Sequence, residues 1–399
     1  MTFENVKEGP PDAIFLVKQK YLADPSDKKL DVGIGAYRDA NGKPYVLNVV
    51  RKAEERVLSD KTRVKEYLGI DGNREFIAAT QKLLFGQDAQ CLKDGKVATV
   101  QALSGTGALR IGAEFVAEQF PNSMVYVPNP TWGNHKKIFQ RAGMKVGQYR
   151  YWLQETRGLD IEGLLEDLSK LPSQSVVVLH VCSHNPTGVD PSPEQWKEIM
   201  KVVQKQQLVP FFDSAYQGFA SGDLERDAYS IRLFAENGIP LLCAQSYSKN
   251  MGLYGERIGA LNVLCDTASL VPAVVSQLKI IIRANYSNPP RHGAAIASTI
   301  LNDPQLFEEW KVELKGMSDR IIAMRVGLRK LLEQKGAPGD WSFITNQIGM
   351  FTYTGLNNDQ VAEMTKNYHI YMPGTGRISI AGLTEPTLDQ MATAIRSVL

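Results

Sequence analysis

The sequence predicts an α/β fold whose mostly parallel sheet is covered by helices on both faces, and two observations carry that reading. Short apolar runs bounded by Gly, Pro, Asn and Asp recur at 124–127, 175–181, 208–212, 241–244 and 259–264, the pattern of strands buried on both sides. Helical stretches lie between them, at 107–119, 193–206 and around 231–236. The second of these has a marked start: Ser192 can cap it, Pro193 takes the first helical position and Gln195 completes a capping box. After Asn302 the texture changes. Asp303-Pro304 opens a stretch to about residue 334 with no internal Pro and with Leu306, Phe307, Trp310, Leu314, Met317, Ile321, Met324, Leu328, Leu331 and Leu332 at helical spacing. Such a helix would extend for more than ~40 Å. That length suits a strut between domains, and equally a long packed helix. Beyond Gly336, strand-like pieces at 341–344, 349–353 and 377–380 and a terminal helix from about residue 388 indicate a smaller α/β domain.

Length and composition bound the function classes. The 399 residues suffice for about two or three domains with sizeable cores, and 43% hydrophobic with 22% charged residues is an ordinary globular composition. Lys and Arg total 45 against 43 Asp and Glu, so a formal charge of +2 gives no global field for drawing the chain onto nucleic acid or anionic lipid. No nucleic-acid partner and no membrane is expected. The most apolar long stretch, 268–282, is broken by Pro272, Ser276, Gln277 and Lys279, short of the roughly 18 continuous apolar residues of a membrane span. Cys91, Cys182, Cys243 and Cys265 form no CxxC pair, which fits a reducing compartment. Residues 1–11 are polar and free of Arg, the wrong chemistry for a signal or transit peptide. The C-terminal Ser397-Val398-Leu399 lacks the basic middle residue of a peroxisomal signal. The expected location is cytoplasmic, or mitochondrial if a transit peptide was removed before Met1.

Three segments carry chemistry. In the first, 245–257, Lys249 follows a strand in a hydroxyl- and glycine-rich turn, where partial desolvation would favour the neutral amine that Schiff-base chemistry needs. Such a turn also suits a solvated surface lysine. In the second, Asp213 ends the apolar run Phe211-Phe212, where a carboxylate is often aimed into a ligand crevice; an N-cap or loop aspartate is the alternative. In the third, Ser104-Gly105-Thr106-Gly107 leads into a helix whose free N–H groups could seat a phosphate, or could simply be a capped helix start. It is neither a Walker A loop nor a G-x-G-x-x-G fingerprint. His180, Cys182 and His184 spell H-x-C-x-H, but alternate strand residues form a row, so strand packing explains them better than a metal site. No metal is expected.

A lysine, a carboxylate and a phosphate cup together fit pyridoxal 5'-phosphate better than any other cofactor. With His184-Asn185-Pro186-Thr187-Gly188, Pro130-Thr131-Trp132-Gly133-Asn134-His135, the run Arg283 to Pro290 and Gly376-Arg377, these segments resemble the aspartate aminotransferases of the eukaryotic type. Those enzymes are class I, fold type I, pyridoxal-phosphate-dependent transaminases, and the likeness is colinear from about Phe15 to the C-terminus.

The resemblance implies a large domain with a mostly parallel seven-stranded sheet and a small α/β domain built from both chain ends. The expected bounds are 1–45 for an N-terminal arm and part of the small domain, 46–315 for the cofactor domain and 316–399 for the small domain, joined by a helix at about 304–334. It further implies reversible ping-pong transfer of the amino group from L-aspartate to 2-oxoglutarate, giving oxaloacetate and L-glutamate through a Lys249 Schiff base. An aromatic or broad-range aminotransferase of the same family is the alternative.

By the same resemblance, Lys249 carries the cofactor and shuttles the proton, Asp213 pairs with the ring nitrogen, and His135 positions Asp213. Asn185 and Tyr216 would bond the phenolic oxygen, Trp132 would stack on the ring, and Ser104, Gly105, Thr106, Ser246 and Arg257 would hold the phosphate. Arg377 would clamp the substrate α-carboxylate, with Trp132, Asn185 and the Gly35 backbone beside the substrate. Arg283 would receive the distal carboxylate. Tyr67 and Arg283 would be donated across a homodimer interface, so that dicarboxylic amino acids and 2-oxo acids bind at shared sites. Ser379, where many relatives carry Asn, and Gly255, which replaces a common Asn, remove no charged contact.

Overall fold

The computed structural model describes residues 3–399; Met1 and Thr2 of the polar N-terminal stretch lie outside the described residues. The chain divides into two compact units. The larger comprises Tyr45–Ile322 with Gln347–Gly349, and the smaller comprises the described part of Met1–Pro44 with Ala323–Asn346 and Met350–Leu399. The helix Pro304–Gln334 contributes residues to both.

The larger unit is built on a seven-stranded sheet, in the order 97–103, 258–264, 241–246, 209–214, 176–180, 125–129, 146–150. Six strands run parallel, and Ile258–Leu264 runs antiparallel to both its neighbours. Phe211 and Phe212 explain why this sheet is covered on both sides. Adjacent strand residues point to opposite faces: Phe211 packs with Leu109, Val116 and Leu261, and Phe212 with Trp196, Ile199 and Phe234. Burying each ring contributes about 1.5–3 kcal/mol. The helix Ser104–Gln119 approaches so closely that a Cβ at Gly112 would lie 2.4 Å from the Phe211 ring. On the opposite layer, Pro193–Lys205 carries the expected capping box: Gln195 N donates to Ser192 Oγ at 3.3 Å, and Ser192 N to Gln195 Oε1 at 2.8 Å.

The smaller unit pairs Phe351–Tyr353 antiparallel with Arg377–Ser379, and Leu30–Asp31 parallel with Ile370–Tyr371. Its helices include Ala13–Ala23, Asn358–Tyr368 and Glu385–Ser397. The strand expected at 341–344 is absent. Asp340 accepts from both Ser342 N and Ser342 Oγ, which turns the chain into the short helix Phe343–Asn346. Trp341, Phe343 and Ile344 are all buried, so that apolar run fills the core without strand alternation.

Candidate active site

The parallel register sets one edge of the large sheet. His180 pairs with Asp213, Asp213 with Ala244 and Ser214 with Gln245, so these strands end together at their carboxyl ends, where α/β sheets bind ligands. The antiparallel strand starts from the same edge, with Ile258 opposite Leu103 and Gly259 opposite Ser246. This register brings Ser104, at the start of its helix, beside the strand that ends in Ser246.

Three hydroxyls meet there. Ser104 Oγ lies 3.0 Å from Ser246 Oγ and 2.7 Å from Ser248 Oγ, and Ser248 N donates to Ser246 Oγ. The approach requires glycine: a Cβ at Gly259 would fall 2.4 Å from the Gln245 carbonyl oxygen and 2.7 Å from the Ser104 carbonyl carbon. A Cβ at Gly105 would press on Ser246 Cβ at 3.1 Å. The 16-residue helix has no side-chain cap, so the first-turn amides of Ser104, Gly105 and Thr106 remain for an anion at its positive end. Hydroxyl donors, uncapped amides and a cradle that a Cβ would fill are the donor set that a phosphate monoester requires.

Asp213 is buried at the end of its strand. Its Oδ2 lies 3.0 Å from Nε2 of the fully buried His135, whose Nδ1 lies 2.8 Å from Thr131 Oγ1. Burial pushes the Asp213 carboxyl up, but the His135 hydrogen bond and the nearby Lys249 charge outweigh it, so the group sits below its ordinary value. His180 itself is neutral, because burial and the neighbouring His135 hold its pKa down to about 3. His180 meets His135 edge to face at 5.2 Å and lies 4.3 Å from the His184 ring, which stacks on Tyr151. His184 thus lies beyond the strand end and faces an aromatic ring. A buried aspartate kept ionised against a histidine suits a cationic ring nitrogen as its further partner.

Lys249 is half-buried in the turn after Leu241–Ser246, with Nζ 5.1 Å from the ring centroid of the buried Tyr216. The turn is fixed next to Lys249: Trp310 Nε1 donates to the Asn250 carbonyl at 2.7 Å, and Asn250 Nδ2 donates to the Gln217 carbonyl. Asn185 is buried, with its N–H directed at His180 Nδ1, and Trp132 meets His135 edge to face at 5.2 Å. Lys249, Tyr216, Asp213, His135, Asn185, Trp132, Ser104, Gly105, Thr106 and Ser246 are therefore all on the larger unit, most of them linked through the contacts above.

The structure does not join Arg257, Tyr67 and Arg283 to that cluster. Arg257 is exposed at φ 54° and donates to its neighbour's carbonyl, Tyr254 O. Tyr67 is 81% exposed, and Arg283 is exposed against Ser287 Oγ. Gly35 and Arg377 belong to the smaller unit. There Arg377 is 7% exposed, donates from Nη2 to the Gly33 carbonyl and lies over the Phe351 ring at 4.3 Å. Sequence reasoning assigned no role to Ser248, Thr131, His180 or Phe351. The first two stand inside quoted motifs and could have been found there, whereas Phe351 carries no signal beyond an apolar strand residue.

The family model for aminotransferases of class I and II matches residues 27–395. The chain is 54% identical over 397 residues to the rice (Oryza sativa subsp. japonica) cytoplasmic aspartate aminotransferase, covering 100% of this chain and 98% of that protein. Other relatives carry chloroplastic and mitochondrial names. Among solved structures, the cytoplasmic aspartate aminotransferase of Saccharomyces cerevisiae superposes with a TM-score of 0.97 at 44% identity, covering 99% of this chain and 98% of that one. An aromatic-amino-acid aminotransferase from Burkholderia pseudomallei, covalently bound to pyridoxal phosphate, also gives 0.97, at 42% identity over the full length of both chains. The strand order, the sheet edge that carries Asp213 and Lys249 and a family match over nearly the whole length agree, and the chain belongs to the class I and II aminotransferases.

Proposed function

We propose that the chain transfers the amino group of L-aspartate reversibly to 2-oxoglutarate, giving oxaloacetate and L-glutamate, with pyridoxal 5'-phosphate held at Lys249. The observation that carries the reading is the convergence of Lys249, the ionised Asp213 and three seryl hydroxyls on one sheet edge. Identity of 54% to a relative named for this activity supports the choice of substrate. When bound, the cofactor supplies an electron sink for a carbanion at the substrate Cα and a carrier for the amino group.

The chain's own residues would do the rest. Ser104, Gly105, Thr106, Ser246 and Arg257 would take the phosphate, with Ser248 holding Ser104 in place. Asp213 would hold the ring nitrogen protonated, and His135, anchored by Thr131, would fix the carboxylate. Tyr216 and Asn185 would donate to the phenolic oxygen, and Trp132 would cover the ring face. Lys249 Nζ would take the proton from the substrate Cα and return it at the cofactor's aldehyde carbon. Arg377 would receive the substrate α-carboxylate and Arg283 the distal one, since a guanidinium fork matches a carboxylate with two charge-assisted hydrogen bonds. The two half-reactions would share one site, the first product leaving before the second substrate enters.

Residues 46–315 are read as the cofactor domain, with the two chain ends forming the small one. A homodimer fits the exposure of Tyr67 and Arg283, which would serve the partner's site, and of Leu58, Val64 and Ile280 in the same unit. No described helix is long and apolar enough to cross a membrane, and the cytoplasm is the proposed compartment. A coupled assay of oxaloacetate formed from aspartate and 2-oxoglutarate tests the activity. Oxaloacetate that accumulates only with both substrates and added cofactor supports it. Equal kcat/KM for aspartate and phenylalanine would replace it with a broad-range aminotransferase.

A further inference from the structure

Within the smaller unit, Arg377 is held in a manner that the sequence does not disclose. The strands Phe351–Tyr353 and Arg377–Ser379 pair antiparallel with Tyr353 opposite Arg377, so Phe351 is the diagonal neighbour of Arg377 on one face of the ribbon, within reach of a long side chain. The Arg377 guanidinium carbon lies 4.3 Å from the Phe351 ring centroid, and both side chains are buried. On another side of the ring stands Gly35, where a Cβ would come within 2.7 Å of Phe351 Cζ. The Gly33 carbonyl accepts from Arg377 Nη2. The strand that carries the ring is fixed as well: the buried Arg325 donates to the Phe351 carbonyl, to Thr352 Oγ1 at 2.6 Å and to the Ile344 carbonyl at 2.9 Å.

We propose that Phe351 is a positioning residue for the substrate carboxylate. Its ring, carried on a strand held by Arg325 and seated against Gly35, sets the plane of the Arg377 guanidinium so that the fork is already oriented before a carboxylate arrives. The attraction between a desolvated guanidinium and an aromatic face, together with the Gly33 bond, leaves the long side chain one orientation. This inference rests on the reading that Arg377 receives a carboxylate. It adds that a residue with no polar atom governs how well Arg377 does so, and that Gly35 must lack a Cβ to leave room for the ring.

The test is succinate, a dicarboxylate without an amino group to transfer, titrated onto the holoenzyme and read as a dissociation constant, with KM and kcat for aspartate measured alongside. Phe351→Leu removes the ring face and should weaken succinate and raise KM about tenfold, with kcat changed less than about threefold. Phe351→Tyr restores the face and should return both to within about twofold of the parent. If Phe351→Leu fails to fold, Gly35→Ala displaces the ring and should weaken succinate by a similar factor. Should the folded leucine variant bind succinate as the parent does, or the tyrosine variant behave like the leucine variant, Phe351 does not position Arg377. Arg377→Gln separates the two claims: unchanged succinate binding there would remove the carboxylate role of Arg377 itself.

Discussion

The cofactor cradle of the larger unit and the arginine seat of the smaller are built on opposite plans. In the cradle, polar groups satisfy one another: Ser104 with Ser246 and Ser248, His135 with Thr131 and Asp213. In the seat, a permanent cation lies over an aromatic ring and donates to a backbone carbonyl. The first plan suits a group that stays through the whole cycle and whose electronics must be tuned. The second suits a ligand that enters and leaves, because an aromatic face and a backbone carbonyl help orient the guanidinium and neither carries a net charge that competes with an incoming carboxylate. Changes in the cradle should therefore appear in kcat and in the cofactor's spectrum, and changes in the seat in KM.

The largest effect is expected at Lys249. Lys249→Ala removes the proton carrier and should lower kcat by about 10⁴-fold or more, measured in single turnover, with substrate affinity little changed. Asp213→Asn comes next, at about 10²- to 10³-fold in kcat, because a neutral amide no longer stabilises a protonated ring nitrogen. A pure KM effect at Asp213 would break the comparison.

On the substrate side, Arg283→Gln should cost about ten- to a hundredfold in kcat/KM for aspartate while leaving phenylalanine unchanged, since only the distal carboxylate loses its charged hydrogen bonds. Equal losses for both substrates would show that Arg283 does not read that carboxylate. The smallest effect concerns pH. Unfolded histidines titrate near 6.5, whereas folded His180 is held down to about 3. Between those values the unfolded chain binds the extra proton, so stability falls as pH drops, by up to about 1.4 kcal/mol per pH unit for this residue. His180→Gln should flatten the dependence of the urea midpoint on pH in that window; an unaltered slope would mean that His180 is not held neutral.

Much of this was legible in the sequence where hydrophobic runs do the folding. The strands at 176–180, 209–214, 241–246 and 258–264 were predicted to within a few residues, as was the helix Pro304–Gln334, because continuous apolar runs and helical spacing are direct signatures of burial. The strand Val97–Leu103 was hidden by its polar residues. Thr99 and Gln101 are buried and satisfied, Thr99 Oγ1 by Asn262 at 2.8 Å and Gln101 Nε2 by the Pro290 carbonyl at 2.7 Å, so long-range partners supply what the local pattern lacks. Val146–Arg150 is an edge strand in which Gly147, Gln148 and Arg150 interrupt the apolar run, and it gives a weak pattern for that reason. The segment 341–344 has the apolar run of a strand but folds otherwise, since Asp340 and Ser342 carry the bonds that start a helix. Site residues were legible where they stood in motifs. Those acting through a neighbour, Thr131 on His135 and Phe351 on Arg377, were visible only once the register brought the pairs together.

Trapping the cofactor tests the account most directly. The protein is incubated with pyridoxal 5'-phosphate, reduced with borohydride and mapped by peptide mass. The expected result is one stable adduct per chain on the peptide containing Lys249, absent after Lys249→Ala. An adduct on another lysine, or none from folded protein, would contradict the assignment of this sheet edge as the catalytic site.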